Sequence, residues 1–219
     1  MSKKSCIAKA CEITDSIFKE IFTNFNFKTE KDVEKFILKR FRDHKVKPAY
    51  PPIVANNNAT IHAKPRNKKF SRGFLVLDFG CKYNGWCSDI TRTLFVGKPS
   101  KKEKKLYNLV LNCQKKCIKK VKVGASCADL DIHSRVLLKE YKRFYNHALG
   151  HGVGKKVHTS PTLRPTSPEF LKKGDIITIE PGIYIKNKKE ELGIRVEDTL
   201  YVGKKVEVLS KVTRRLVEV

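Results

Sequence analysis

The chain has 219 residues, 40% of them hydrophobic, and its 47 lysines and arginines outnumber 22 acidic residues for a formal net charge of +25. This length suits one sizeable domain or two fused halves. The seven cysteines are odd in number and show no paired spacing, and the sequence shows neither a secretory leader nor a long apolar segment. These features argue against a disulfide-stabilised secreted protein and a membrane protein, and we expect a cytoplasmic one.

Two amphipathic helices are predicted at the start of the chain. Apolar residues recur every three or four positions from Ile7 to Phe22 and again from Val33 to Phe41. The second pattern follows Thr29 and Asp32, whose spacing is that of a helix capping box. Strand-like segments then continue to Val96.

Asp78 and Asp89 flank an Asn84-Gly85 pair, which is typical of a two-residue hairpin turn. A hairpin centred on this turn places Asp78 opposite Thr91 and Asp89 opposite Gly80. The two carboxylates then lie on one face of the ladder as diagonal neighbours, close enough to hold cations between them. We interpret them as half of a metal site.

The second part of the chain repeats the order of the first. Capping signals at Ser100 to Glu103 and at Ser126 to Asp129 each precede a helical pattern, and strands are predicted from about Val153 onward. This duplication predicts a single catalytic domain over residues 1–219 with halves at about 1–98 and 99–219. The metal site is expected between the halves.

Three residues of the second half complete the predicted ligand set. His151 lies in a Gly-His-Gly-Val-Gly stretch, whose alternating glycines argue against an ordinary packed strand and favour a ligand environment. Glu180 ends an apolar strand pattern, and Arg195 and Glu197 alternate onto one strand face, so that Arg195 points toward the same site. Four carboxylates and one histidine form the oxygen-rich set that two divalent ions require.

These motifs, in this order, resemble the metallopeptidases of the pita-bread fold, which comprise methionine aminopeptidases, Xaa-Pro aminopeptidases and prolidases. The resemblance covers nearly the whole chain. It implies an α/β (α+β) fold of two pseudo-symmetric halves, each made of two helices and a sheet, with a dinuclear metal site between them. By this resemblance the metal ligands are Asp78, Asp89, His151, Glu180 and Glu197, with Asp89 and Glu197 shared between the ions.

Two positions indicate the proline-directed branch of this family. His147 resembles the extra histidine of Xaa-Pro aminopeptidases and prolidases, and Arg195 resembles their arginine; both are therefore predicted to bind substrate. Alternatively, His147 is a hydrogen-bonded histidine without a catalytic role, and Arg195 pairs with a ligand carboxylate. The expected function is hydrolysis of the bond before proline in Xaa-Pro peptides or dipeptides, with removal of initiator methionine as the alternative.

The resemblance also implies roles for two more histidines. His62 would contact the residue after the scissile bond, and His158 the scissile carbonyl, so both are predicted to act in catalysis and substrate binding. Glu180, besides binding metal, is the predicted general base. The expected cofactors are two divalent ions, with Mn²⁺ ahead of Co²⁺, Fe²⁺ or Zn²⁺, and the expected partner is a peptide substrate.

The charge of +25 is not explained by a peptidase. Basic clusters at residues 64–72, 98–105, 115–122 and 186–189 indicate a second alternative, a noncatalytic RNA- or ribosome-associated member of the fold, ranked below the enzyme. A lysine-rich surface that only reflects genome composition is the third interpretation. The amino-terminal domain of many proline-directed relatives is expected to be missing, which leaves the oligomeric state open, with a homodimer as one option.

Overall fold

The computed structural model describes residues 1–219 as a mixed α/β fold of four α-helices and thirteen strands. The first half contains α1 (Lys3–Thr23), α2 (Glu30–Asp43), β1 (Lys47–Pro48), β2 (Ile53–Asn56), β3 (Gly73–Phe79), β4 (Cys81–Tyr83), β5 (Trp86–Cys87) and β6 (Ile90–Val96). The second half contains α3 (Lys101–Lys120), α4 (Cys127–Leu138), a 3₁₀ helix (Lys139–Phe144), β7 (Gly150–Gly152), β8 (Thr159–Leu163), β9 (Ile176–Ile179), β10 (Gly182–Lys186), β11 (Glu191–Arg195), β12 (Asp198–Val202) and β13 (Val206–Val208).

The four predicted helices are confirmed, and each begins at a side-chain cap. Thr29 and Ser100 form complete capping boxes with acids three residues later, and Ser2 and Ser126 cap α1 and α4 by accepting a backbone N–H. The buried stripe of each helix packs on a sheet, so local capping and tertiary burial agree on where the helices start.

The predicted hairpin is also present. Asn84 and Gly85 both have positive φ angles, as a two-residue turn of type I′ requires, and Asp78 pairs with Thr91. The β3–β6 ladder ends before Gly80, however, where a Cβ would lie 1.9 Å from the Ser88 carbonyl oxygen. Beyond that point β4 and β5 form a separate three-stranded sheet with β1, so the ladder does not include the expected partner of Asp89.

The second half is built on a five-stranded sheet in the order β13-β12-β9-β7-β8, beside the two-stranded β10–β11 pair. The glycine-rich stretch departs from expectation, because Gly150–Gly152 is a strand inside this sheet. A Cβ on Gly150 or Gly152 would meet the backbone oxygen of Thr178 or Ser160 at 2.1 Å. Glycine is therefore present for close strand packing, and it leaves His151 as the only side chain of β7.

Two apolar cores lie on the two sides of the molecule. One contains mainly residues of α1, α2, β3 and β6, and the other mainly residues of α3, α4 and β9 to β12. Between them the Arg92 guanidinium on β6 donates to the Asp198 carboxylate at 2.7 Å and to the backbone oxygen of Glu197. The site lies along this join. No helix of the structure combines the length and the apolar composition that crossing a membrane requires.

Candidate metal centre and peptide cleft

Asp78 and Asp89 lie side by side at the end of the three-stranded sheet. Both are buried, and the Tyr50 hydroxyl contacts an oxygen of each, at 2.5 Å from Asp78 Oδ1. A phenol has one proton to donate. It can satisfy only one of two ionised carboxylates, and Arg195 Nη2 is a further donor to Asp78.

Glu197 approaches the same aspartates from the other half of the molecule. It lies between β11 and β12, is buried, and accepts a hydrogen bond of 2.7 Å from the Thr91 hydroxyl. Its carboxylate oxygen and one oxygen each of Asp78 and Asp89 lie within 4.8 Å of one another. Strands from both halves therefore bring three carboxylates together, as expected from the sequence.

His151 and Glu180 form the other side of the site. The Nδ1–H of His151 donates to the Gly152 carbonyl at 3.1 Å, which turns Nε2 toward Glu180 Oε1 at 3.3 Å and Asp89 Oδ2 at 3.5 Å. A backbone carbonyl that fixes the tautomer and aims the second nitrogen is the usual support for a metal-binding histidine.

The protonation equilibria of the site show how crowded its charges are. Burial, with the charges of Asp78 and Glu180, holds the pKa of Asp89 well above its usual range, and burial together with Asp89 and Glu180 does the same to the pKa of Glu197. Burial opposes ionisation of His151 and Glu180 as well, but their mutual contact raises the pKa of His151 to about 9 and lowers that of Glu180 to about 2. A divalent cation would relieve this crowding, so the five residues fit a metal centre.

A hydrogen-bonded chain of three side chains borders the carboxylates. Arg195 Nη1 donates to the Tyr184 hydroxyl at 2.5 Å, that hydroxyl donates to His147 Nε2 at 3.1 Å, and His147 Nδ1–H donates to the Ala148 carbonyl at 2.8 Å. Burial lowers the pKa of His147 to about 4 despite the nearby Glu180. His147 is thus a neutral histidine with both ring nitrogens engaged.

Arg195 is buried and makes contacts on three sides. Its Nη2 donates to Asp78 Oδ2 at 2.5 Å and its Nε to the Thr91 hydroxyl at 3.1 Å, in addition to the bond with Tyr184. Arg195 therefore pairs with a predicted ligand carboxylate, an alternative that the sequence left open. Its Nη1 also donates to the Ile61 carbonyl at 3.4 Å, which leaves one N–H of Nη2 without a partner beside the cleft.

Two cavities, of about 370 and 360 Å³, meet at the site. Both are lined by His62, His151, His158 and Glu180; the first adds the carboxylates and Tyr50, and the second adds His147 and Ala148. His158 is exposed, and its ring packs edge-on against that of His151 with centroids 4.2 Å apart. The structure thus brings all of the predicted site residues to one double cleft.

Three residues of the site were not predicted from the sequence: Tyr50, Thr91 and Tyr184. Tyr50 follows a two-residue strand in a loop, and nothing local to it indicates a partner 28 residues away. Thr91 was placed opposite Asp78 by the hairpin, yet its hydroxyl contacts Glu197 and Arg195 on another sheet. Tyr184 lies between the apolar strand residues Ile183 and Ile185, so the sequence does not distinguish it from a residue of the hydrophobic core. Its place in the site follows from the pairing of β10 with β11.

Comparisons with known proteins identify the family. The model of "Metallopeptidase family M24" matches residues 5–204. The chain belongs to this family. It is 38% identical over 221 residues to the Xaa-Pro dipeptidase of Pyrococcus horikoshii, an alignment that covers 96% of this chain and 62% of that protein. Members of the M24 family are metal-dependent, which agrees with the donor set described above.

Solved structures agree on the fold. The structure resembles the prolidase of Thermococcus sibiricus with a TM-score of 0.93 and 32% identity, covering 99% of this chain and 61% of that one. It resembles the X-Pro aminopeptidase of Thermotoga maritima with a TM-score of 0.92 and 31% identity, covering 99% and 63%. The pita-bread fold is confirmed. The chain spans about three fifths of the length of the relatives it matches.

Proposed function

We propose that this M24 metallopeptidase hydrolyses the peptide bond before proline in Xaa-Pro dipeptides or Xaa-Pro peptides. The observation that carries the proposal is the double cleft, in which Glu180, His62 and His158 line both cavities. A peptide bond lying across this shared wall would have one residue in each cavity. The similarity to an Xaa-Pro dipeptidase, a prolidase and an X-Pro aminopeptidase supports the same assignment.

The polar groups of the two cavities favour one direction for the substrate. The first cavity contains Asp78, Asp89 and Glu197, whose carboxylate oxygens would accept hydrogen bonds from the amino terminus of a peptide. The second cavity contains the neutral ring of His147 beside Ala148 and can pack against a proline ring. The residue before the scissile bond would therefore occupy the first cavity and proline the second.

The proposed cofactors are two divalent ions, with Mn²⁺ as the first choice. The five proposed ligands are Asp78, Asp89, His151, Glu180 and Glu197. When bound, two such ions supply a water of lowered pKa and an electrophile for the scissile carbonyl. Oxygen ligands with a single histidine suit Mn²⁺, and Co²⁺, Fe²⁺ or Zn²⁺ would also be accepted.

Glu180 is the proposed proton carrier. In the metal-free protein His151, His147 and Arg195 outweigh the effect of burial and lower the pKa of its carboxylate to about 2, so it is ionised at neutral pH. It lines both cavities, which lets it take a proton on the water side of the substrate and return it to the leaving amine. His158 and His62, on the same wall, would donate hydrogen bonds to the scissile carbonyl and to the residue after it.

Recognition of proline must rely on shape, because the Xaa-Pro amide has no N–H to bind. Arg195, Tyr184 and His147 form a connected wall behind the second cavity. We propose that this hydrogen-bonded wall fixes the position of His147 against the proline ring. Arg195 also holds Asp78 in place and would donate the free N–H of its Nη2 to the substrate. Both residues would then bind substrate without changing protonation.

A peptide panel tests the function. The purified protein with added Mn²⁺ should hydrolyse Ala-Pro or Ala-Pro-Ala, and it should leave Ala-Ala and Met-Ala-Ser nearly intact over the same time. Release of proline or of the first residue is measured by chromatography. Comparing Ala-Pro with Ala-Pro-Ala also decides between a dipeptidase and an aminopeptidase.

Efficient release of methionine from Met-Ala-Ser, with no cleavage of any Xaa-Pro substrate, would replace this proposal with methionine aminopeptidase. Complete inactivity with every metal would contradict peptidase activity of either kind. If the protein also folded normally and bound less than one ion per chain, the result would favour a member of the fold that lacks catalysis.

A further inference from the structure

The helices of the two halves carry very different charges. α1 and α2 together contain nine basic and seven acidic residues, a net charge of +2. α3 alone contains eight lysines and one glutamate, a net charge of +7 in 20 residues. A lysine-rich genome would enrich all helices alike, so composition does not explain this concentration.

Pairing of the charges differs in the same way. On α1 and α2, ion pairs three residues apart neutralise Lys9 with Glu12, Lys31 with Glu34 and Arg40 with Asp43. The only acid of α3, Glu103, caps its own helix and pairs with Arg72 of the loop before β3. Of the eight lysines on α3, only Lys104 forms an ion pair, with exposed Glu218.

Folding joins two of the basic clusters of the sequence with the C-terminal segment. The lysines of α3 lie in pairs near its two ends, and the middle of the helix is bordered by residues 208–216, where Tyr107 donates to the Arg214 carbonyl at 2.9 Å. There Lys115, Lys211 and Arg215 line a groove of about 400 Å³. The exposed face of α3, a strip about 30 Å long, and this groove are together called the α3 surface below.

The composition of the strip identifies the kind of partner. The exposed residues of α3 are its lysines and two asparagines, and none is apolar. Protein interfaces are depleted in lysine and need apolar anchors at their centre, which this face lacks. Interfaces with nucleic acid are far more basic, and flexible lysines without base-reading partners contact phosphates.

We propose that the α3 surface binds the phosphate backbone of nucleic acid without reading its sequence. The groove shares no lining residue with the peptide cleft, so binding there leaves the cleft accessible. This activity is additional to the proposed peptidase and does not depend on it. Counterion release from the bound phosphates would provide the affinity, which makes it strongly dependent on salt.

A matched pair of fourfold variants tests the proposal. One changes four unpaired lysines of α3 to glutamine (Lys105, Lys115, Lys116 and Lys119), and the control changes four unpaired, exposed lysines of α1 and α2 (Lys3, Lys19, Lys35 and Lys39). Each variant removes four charges from the same total of +25. Binding to a labelled 20-nucleotide RNA is measured by fluorescence anisotropy from 50 to 300 mM salt.

We expect the α3 variant to bind RNA at least tenfold more weakly at 100 mM salt, and the control less than threefold more weakly. The slope of log affinity against log salt should decrease by about 3 for the α3 variant, since each lost contact with a single strand removes about 0.7. Scrambling the RNA sequence should change nothing. Duplex DNA in place of RNA shows which polymer the strip prefers.

Equal weakening in the two variants would overturn the proposal, because binding would then follow total charge rather than this surface. Unfolding of the α3 variant is detected by its melting temperature. The twofold changes Lys115→Gln with Lys116→Gln then decide, since they should lower the salt slope by about 1.4, whereas Lys3→Gln with Lys19→Gln should leave it nearly unchanged. Binding of poly-glutamate as tightly as RNA at equal salt would also reject nucleic acid as the specific partner.

Discussion

Like charges gather both in the double cleft and on the α3 surface, and the fold treats them in opposite ways. In the cleft, carboxylates are buried within 4.8 Å of one another and are held by Arg195, Tyr50 and Thr91. On α3, lysines are exposed, and all but one lack an ion pair. Buried charges need fixed partners because water cannot reach them, whereas exposed ones are stabilised by solvent.

This contrast has an energetic consequence. Crowding in the cleft costs stability in the metal-free protein, since burial and like charges raise the pKa of Asp89 and Glu197. We expect bound cations to offset that cost, so metal should stabilise the folded protein. Crowding on α3 costs little and requires no particular partner, so changes there should affect binding far more than folding.

The largest effect is expected from removing the proposed proton carrier of the cleft. Glu180→Gln should lower kcat for Ala-Pro hydrolysis by about 10³-fold or more, because it removes the proposed general base and weakens a proposed ligand. Exposed Glu190 on the neighbouring turn supplies the control, and Glu190→Gln should retain activity. Near-normal turnover by Glu180→Gln with unchanged metal content would show that another group carries the proton.

A second change should separate stability from function in the cleft. Asp89→Asn removes a buried charge whose ionisation is opposed by burial and by Asp78 and Glu180. We expect the metal-free variant to gain about 1 kcal/mol or more in free energy of unfolding, while the rise in melting temperature on adding Mn²⁺ is largely lost. A metal-free variant less stable than the unmodified protein would mean that Asp89 is a structural ion and not a strained ligand.

The pH dependence of the metal-free protein should follow from the same groups. Asp89 and Glu197 have raised folded-state pKa values, and that of His151 is raised to about 9. All three bind protons more tightly in the folded state, so stability decreases as pH rises from 6 to 9. Glu180, with its pKa lowered to about 2, acts oppositely only below about pH 4.5.

Metal should reverse this trend, because its ligands must lose their protons to bind. The melting temperature with saturating Mn²⁺ minus that of the metal-free protein should therefore grow from pH 6 to pH 9. Calorimetry in buffers of different ionisation enthalpy should detect proton release on metal binding at pH 7.5. Metal-free stability that is independent of pH between 6 and 9 would contradict the charge crowding described for the cleft.

The parts of the fold that local sequence encodes were predictable. The four capped helices and the Asn84-Gly85 turn each depend on residues within a few positions of one another. The strand Gly150–Gly152 was not predictable, because glycine disfavours strands in general. Only the close approach of the Thr178 and Ser160 backbones shows why no larger residue fits at Gly150 and Gly152. Tyr50 and Tyr184 act through partners brought close by folding alone, which no local pattern reveals.

The smallest effect is expected on α3, and its sign tests the contrast between exposed faces. Lys116→Glu places an acid four residues before Lys120, the favourable order for a helical pair, and relieves repulsion along α3. We expect the melting temperature to rise by about 1 to 2 °C at low salt. The matched change on α1, Lys9→Glu, alters total charge equally but replaces the 2.8 Å Lys9–Glu12 pair with two like charges, so it should lower the melting temperature.

The α3 variant offers a second measurement in His133, on the adjacent helix α4. Burial, with the charges of Lys120 and Lys116, lowers the pKa of this histidine, so Lys116→Glu should raise it, and an NMR titration of the ring protons measures the change. Both melting shifts should become much smaller in 0.5 M salt, where exposed charges are screened beyond about 4 Å. A shift of the same sign in both variants would mean that total charge, rather than its uneven distribution over the helices, governs stability at the surface.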